Sequence, residues 1–226
     1  MSSPLLDIEC NRRILTEVLM RASALLKDEK VVYLDAGSGI CTTTQFVVNA
    51  LRPERVICAD IDESFLERYR EKGFEITRVD LNAEMLPLES GTVDLVTAFE
   101  VVEHLRDKDN MLKEVYRVLK QGGLLIISTP NLAAWANRLL LLVGKTPFYY
   151  NVSQKSPLTK YGYGHVNYTL ELLKKHLLFY GFEVIEVHGL LTPLYRRYKL
   201  FEIITLLIAR VRPSLAPVIL ILARKR

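Results

Sequence analysis

The residues of this chain that could do chemistry begin in a short glycine-containing turn. The segment 31–39 reads V-V-Y-L-D-A-G-S-G, and its candidate ligand-binding residues are Asp35, Gly37, Ser38 and Gly39. The two glycines let the backbone turn tightly and approach a ligand where a Cβ atom would clash. A helix predicted over 42–51 has its N-terminus at the same point. The turn therefore predicts a loop that binds a nucleotide cofactor.

Further acids follow apolar runs along the chain, as expected at the ends of buried strands. The runs 55–60, 75–79 and 93–99 end at or before Asp60, Asp80 and Glu100 respectively. A carboxylate at the tip of the second strand can accept hydrogen bonds from both hydroxyls of a ribose. Ligands of open parallel sheets bind at the carboxyl ends of the strands, so these acids are expected at one site.

A dinucleotide fingerprint would need Gly or Ala three residues after the second glycine, where this chain has Thr42. The whole pattern resembles motif I and the later strand-end motifs of the class I S-adenosylmethionine-dependent methyltransferases. The resemblance implies S-adenosyl-L-methionine as the cofactor, with Asp80 facing the adenine amino group and Leu81 beside the ring. The expected cofactor-binding residues are Asp35, Gly37, Ser38, Gly39, Asp60, Ile61, Asp80, Leu81, Phe99 and Glu100. The resemblance is strongest to the methyltransferase-11/23-like enzymes that act on small molecules.

The fold class expected is α/β. The alternation of strands and helices from 31 to 129 predicts parallel strands joined by right-handed crossovers. The resemblance implies a Rossmann-like seven-stranded sheet of order 3-2-1-4-5-7-6, with the last strand antiparallel and helices on both faces. We expect one methyltransferase domain over 1–226, with an N-terminal cover helix in 1–30. Two substrate-side insertions are expected at 132–168 and 190–214.

The segment E-V-V-E-H-L at 100–105 follows the fourth strand. It resembles the E-x-x-E-H of quinone-biosynthesis O-methyltransferases, where the resemblance implies divalent-metal ligands. The alternative, which we favour, is that Glu103 and His104 shape the pocket without a metal, because no further acidic ligand is evident nearby. His165 stands between glycines in the first insertion and is a candidate general base. The expected catalytic residues are thus His104, His165 and Glu103.

Composition narrows the protein class. The chain has 226 residues and a net charge of +4, with scattered basic residues, so a nucleic-acid partner is not expected. Three cysteines without metal-binding spacing make a disulfide framework improbable, and no secretory or membrane-spanning segment is evident. We expect a cytoplasmic protein.

The function expected is methyl transfer to a small-molecule acceptor, by O-methylation of an apolar or ring-bearing substrate. A nicotinamide-dependent oxidoreductase and a non-catalytic S-adenosylmethionine-binding protein remain alternatives. A helix predicted over 194–212 has apolar residues at three- and four-residue spacing and basic residues towards its ends. Its apolar face is expected to contact a membrane, or else to pack on the sheet edge or in a homodimer.

Overall fold

A computed structural model describes residues 6–26, 30–62, 70, 72–148, 168–193 and 199–226. The described strands are β1 (Val32–Ala36), β2 (Arg55–Asp60), β3 (Glu75–Arg78), β4 (Val93–Phe99), β5 (Leu119–Pro130), β6 (Phe182–Leu190) and β7 (Val218–Lys225). The described α-helices are α1 (Glu9–Leu25), α2 (Thr42–Leu51), α3 (Lys108–Val118), α4 (Trp135–Leu142), α5 (Leu170–Phe179) and α6 (Lys199–Val211). Among these, no helix is long and apolar enough to cross a membrane.

The strands form one seven-stranded sheet in the order β3-β2-β1-β4-β5-β7-β6. Strands β1 to β5 pair in parallel, whereas β7 is antiparallel to both β5 and β6. The predicted fold class, strand order and antiparallel last strand are therefore confirmed. The carboxyl ends of β1, β2 and β4 lie at one edge of the sheet, which brings the strand-end acids together.

The hydrophobic core lies in two layers, one on each face of the sheet. In β7, Ile219 and Ile221 face the layer that contains α3 and α5, and Leu220 and Leu222 face the layer that contains α1 and α2. A strand that alternates between two apolar layers must be apolar at every position. This explains the uninterrupted run V-I-L-I-L-A at its start.

The N-termini of α3 and α5 are each capped by a polar side chain. The Asp107 side chain accepts from the backbone N–H of Asn110 at the start of α3, and Thr169 does the same for Leu172 at the start of α5. Each cap satisfies a backbone donor that the helix itself cannot pair.

A pair of glycines lies near the start of the fifth strand. Helix α3 ends at Val118, and Gly122 and Gly123 both lie within β5. The pairing of β5 with β4 shifts register here, between Val93 and Leu95, and Gly122 has φ +80°. Glycine accommodates this irregularity because it tolerates a left-handed backbone.

Candidate active site

The glycine loop is fastened to the end of β2. The backbone amides of Gly37 and Ser38 both donate to the carbonyl oxygen of Ala59, over 2.7 and 3.1 Å. Gly37 has φ +79°, and a Cβ atom built on it would lie 2.3 Å from Val101 Cγ2. Gly39 has φ +50°, but a Cβ atom there would meet nothing within 4 Å. The first glycine is thus required by packing, and the second borders open space.

Asp35 is buried beneath this loop. Its Oδ1 accepts from the Thr97 hydroxyl at 2.7 Å, and its Oδ2 accepts from the Thr44 hydroxyl at 2.5 Å. Burial raises the pKa of Asp35 to about 6. Both hydrogen-bond donors to the Asp35 carboxyl group are thus threonine hydroxyls. Asp35 therefore links β1 to β4 and to the first turn of α2.

Asp60 occupies the tip of β2 beside the loop. Its Oδ2 accepts from the backbone amide of Gly39 at 2.8 Å, and its Oδ1 accepts from the amide of Asp62 at 3.0 Å. The carboxylate is only partly buried. The next residue, Ile61, is 53% exposed, which leaves a large apolar side chain beside a carboxylate at the sheet edge. This pair has the chemistry needed for a ribose and an adjoining base.

Asp80 lies beyond β3 in a tight turn. Its Oδ1 accepts from the backbone and side-chain nitrogens of Asn82, and these bonds hold the pKa of Asp80 below its ordinary value. Leu81, expected beside an adenine ring, follows this turn, and that role stays a prediction. Its side chain is 5% exposed and belongs to the core, because the turn points it inward. Leu81 can thus meet a ligand only through its backbone.

The end of β4 turns sharply at Glu100, which has φ +56°. Two bonds to Ser128 on β5 hold this left-handed residue: the Glu100 amide donates to the Ser128 carbonyl, and Glu100 Oε1 accepts from the Ser128 hydroxyl. Burial raises the pKa of Glu100 to about 7. Phe99 is partly buried and packs against the α1/α2 core layer. A strained residue held by its neighbours at a strand end is a feature of functional sites.

Glu103 and His104 differ sharply in exposure. Glu103 is 2% exposed and accepts from the Thr129 hydroxyl at 3.1 Å; burial and then the charge of Glu100 raise its pKa. The His104 side chain is 46% exposed, and its Nε2 lies 3.9 Å from Glu103 Oε1. Among the described residues, no group of three or more His, Cys, Asp or Glu side chains is placed to hold a metal ion.

One further acid near the site has a structural role. Asp94 accepts from the backbone amide of Val32 at 2.8 Å and pairs with Lys120 at 2.7 Å. His165 and most of the aromatic residues of the first insertion lie outside the described residues, so the assignment of His165 stays a prediction.

His176 is the centre of a chain of hydrogen bonds that was not predicted from the sequence. Its Nδ1 lies 2.6 Å from the hydroxyl of Tyr168, and its Nε2 lies 2.7 Å from Asp109 Oδ1. The chain joins the starts of α3 and α5. Tyr168 and His176 are eight residues apart, but Asp109 lies 67 residues before His176, and no local motif indicates that contact. All three cysteines are free.

Two features of the glycine loop bear on whether it can hold S-adenosylmethionine. The space beside Gly39 would be filled by a Cβ atom, so glycine keeps it open. Ser38 Oγ is buried and, within the described part of the chain, lacks a hydrogen-bond partner. Buried polar groups are normally satisfied, and a polar ligand beside the loop would supply the missing partner. The residues present are therefore suited to the cofactor.

Comparison with known proteins agrees with this geometry. The family described as "Methyltransferase domain" matches residues 34–127. A probable S-adenosylmethionine-dependent methyltransferase of Mycolicibacterium smegmatis is 38% identical over 101 residues, which are 43% of this chain and 37% of that protein. The ubiquinone/menaquinone biosynthesis C-methyltransferase UbiE of Psychromonas ingrahamii is 32% identical over 66% of this chain and 53% of its own. The chain thus matches about a third to a half of the length of these curated relatives.

The solved structures show likeness in fold. An S-adenosylmethionine-dependent methyltransferase from Mesorhizobium loti aligns with a TM-score of 0.63 and 18% identity, over 91% of this chain and 96% of that one. The glycine loop, Asp60 and β4 all lie within the matched 34–127 segment. The resemblance noted in the sequence is confirmed over residues 34–127, which match the methyltransferase-domain family; the Mycolicibacterium smegmatis relative and the Mesorhizobium loti structure are both named S-adenosylmethionine-dependent methyltransferases.

Proposed function

We propose that this protein transfers a methyl group from S-adenosylmethionine to a small-molecule acceptor, by O-methylation of an apolar or ring-bearing substrate. The observation that supports this most is the open space beside Gly39, which Asp60 borders. The carboxyl groups of Glu100 and Glu103 lie at the same edge of the sheet. A cofactor site and groups able to move a proton thus adjoin one another. We include His165 in the catalytic set on its sequence context alone.

When bound, S-adenosylmethionine supplies a methyl group on a sulfonium centre, which passes in line to a nucleophile on the acceptor. Gly37, Ser38 and Gly39 would hold the methionine portion, and Asp60 and Ile61 would hold the nucleoside. Phe99 and the turn at Glu100 would line the cofactor site between the ends of β1 and β4. The chain's main contribution is then orientation and exclusion of water.

His104 is the side chain best exposed to take a proton from the acceptor hydroxyl. Glu103, whose Oε1 lies 3.9 Å from His104 Nε2, would be a positioning residue that orients the imidazole as the proton moves. Glu100, with a pKa raised to about 7, is the second group whose charge can change near neutral pH. Neither histidine nor carboxylate needs to form a covalent intermediate.

The relative named as a C-methyltransferase favours a second acceptor atom. Loss of a proton from a phenolic hydroxyl gives an anion that is nucleophilic at oxygen and at the adjacent ring carbon. The same base could therefore serve O- or C-methylation, and the orientation of the ring over the methyl group would decide between them.

The test uses S-adenosylmethionine labelled in the methyl group. Calorimetry should show binding of S-adenosylmethionine and none of NAD; the reverse result would favour the oxidoreductase. Incubation with a fractionated cell extract should move the label into an organic-extractable product. Hydriodic acid would then release the label as methyl iodide from an O-methyl ether but not from a C-methyl group. Binding without any label transfer would favour a non-catalytic binding protein.

We further propose that the chain forms one domain and acts in the cytoplasm. We also propose that the protein contacts a membrane, which the exposed apolar residues of α6 support.

A further inference from the structure

Helix α6 leaves its apolar stripe largely exposed, and Ile203 and Leu207 line a groove between α6 and α1. Leu200, Leu207 and Val211 are 72%, 60% and 79% exposed, and Ile203 and Ile204 on the same stripe are also exposed. The side chains buried against the protein are the small residues Thr205 and Ala209. At 3.6 residues per turn, each lies about 160° around the helix from Leu207. The usual arrangement, with the apolar stripe in the core, is thus reversed.

A second exposed apolar segment adjoins it. The end of α4 and the residue after it expose Leu139, Leu141, Leu142 and Val143. The two helices are joined at Trp135, whose ring lies 4.7 Å from that of Phe201 and whose Nε1 donates to the Thr205 hydroxyl at 3.2 Å. We call the exposed apolar residues of α4 and α6, with Val143, the α4/α6 face.

The charges around this face are mostly positive. The segments 135–148 and 199–212 contain the basic residues Arg138, Lys145, Lys199, Arg210 and Arg212, all exposed, and the acidic residue Glu202. An amphipathic helix with exposed leucines and flanking basic side chains binds the interface of an anionic bilayer, where the apolar side enters the acyl boundary. A symmetric contact with a second copy would instead bring two such basic-rich faces together.

We propose that the α4/α6 face docks this protein on an anionic lipid surface. The charge pattern argues for a bilayer over a second copy of the chain, and the exposed leucines argue against nucleic acid. Helix α4 follows β5 directly, and the Asn131 side chain at the end of β5 donates to the carbonyl oxygens of Ser214 and Ala216, just after α6. Docking would therefore turn the catalytic edge of the sheet towards the bilayer.

One consequence for the acceptor rests on the proposed methyl transfer. An acceptor drawn from the membrane would be apolar and would reach the site along the docked face. The docking itself is independent of that activity and can be measured without turnover. Failure of one proposal is thus distinguishable from failure of the other.

The experiment is flotation of the full chain with phosphatidylcholine vesicles, with and without phosphatidylglycerol. The wild type should float with the anionic vesicles, and added salt should weaken the association. The L207Q/V211Q variant should bind them about tenfold more weakly, because two apolar side chains no longer enter the lipid. The matched control is L178Q on α5, which changes a leucine of similar exposure, 58% against 60%, and should float as the wild type does.

A charge-reversal arm tests the electrostatic part. K199E/R210E should weaken binding to anionic vesicles by about tenfold or more, whereas K30E/K113E, with the same change in net charge, should have little effect. Each variant should retain wild-type affinity for S-adenosylmethionine, which shows that the fold is intact. Absence of flotation by the wild type at low salt would overturn the proposal. Equal loss in L207Q/V211Q and L178Q, or a concentration-dependent dimer that L207Q/V211Q abolishes, would overturn it as well.

Discussion

The backbone amide of Gly39 donates a 2.8 Å hydrogen bond to Asp60 Oδ2, so the glycine loop and the acid at the tip of β2 are one structural unit. Charge-assisted bonds of this kind are stronger than neutral ones. The bond fixes the second glycine at the place where its missing side chain leaves room for a ligand. It also orients the carboxylate that we expect to bind the ribose.

The first prediction concerns this carboxylate. Asp60→Ala should weaken S-adenosylmethionine binding by about 1.5–3 kcal/mol, through lost hydrogen bonds to the ribose and lost support of the loop. Calorimetry measures the change, and Asp62→Ala is the control, since only the backbone amide of Asp62 contacts Asp60 in the bonds described. Unchanged affinity in a folded Asp60→Ala protein would remove Asp60 from the ribose site.

The second prediction separates the two glycines of the loop. Gly37→Val should abolish cofactor binding and lower the free energy of unfolding by about 1–3 kcal/mol, because its Cβ meets Val101 and its φ is positive. Gly39→Ala should cost about 1 kcal/mol in stability through φ alone, while it weakens binding by filling open space. Urea unfolding and calorimetry measure the two effects.

The control for the Gly37 prediction removes the clash with Val101. Val101→Ala removes the Cγ atoms that a residue at position 37 would meet, so Gly37→Ala should be less destabilising in that background. Equal cost in both backgrounds would show that φ, and not contact with Val101, explains the need for glycine.

The third prediction follows from the buried carboxyl group of Glu100. Its pKa is raised from 4.5 to about 7, so the folded protein holds a proton that the unfolded chain has released. Stability of the cofactor-free protein should therefore fall as pH rises through this range, by up to about 3 kcal/mol from this group. Below pH 4.5 the group is protonated in both states, and above about 7 the loss is complete.

Urea unfolding at fixed ionic strength between about pH 5 and about pH 8 measures this dependence. Glu100→Gln should reduce it, because an amide does not ionise, while the raised pKa of Glu103 keeps part of the dependence. Exposed Glu171→Gln should leave it unchanged. A wild-type stability that rises across this range would contradict the raised pKa. Asp35, with a pKa raised to about 6, should contribute in the same direction at the lower end.

The fourth prediction concerns catalysis. His104→Ala should slow methyl transfer by about 100-fold or more while S-adenosylmethionine affinity changes little, because this side chain is expected to touch the acceptor and not the nucleoside. His165→Ala should behave in the same way. Single-turnover rates and calorimetry separate the two quantities. Normal turnover by both variants would mean that proximity and an acidic acceptor suffice.

Chelation distinguishes the roles of the segment 100–105. Activity should survive exhaustive treatment with a chelator, since Glu100 and Glu103 already accept bonds from the Ser128 and Thr129 hydroxyls. Loss of activity that a divalent ion restores would instead support metal binding by this segment.

The sequence determined the sheet and the location of the site. Strand-end acids such as Asp60 could be predicted because a run buried on both faces is apolar throughout, so the first carboxylate marks the point where the strand leaves the core. The predicted limits of α2 and β4 equal those observed, because the glycine loop and the turn at Glu100 are local signals. Hydrophobic periodicity and turn-forming residues are short-range features, so they can be recognised in a single sequence.

Only the tertiary structure decided what each side chain contacts. Asp35 accepts from the Thr44 and Thr97 hydroxyls and the Leu81 side chain lies in the core, contacts that no local pattern in the sequence indicates. From the sequence, the apolar stripe of α6 resembles an ordinary buried face. In the structure, the side chains buried against the protein are instead Thr205 and Ala209. Periodicity gives the relative angle of two residues on a helix, but the packing of distant elements selects which side is covered.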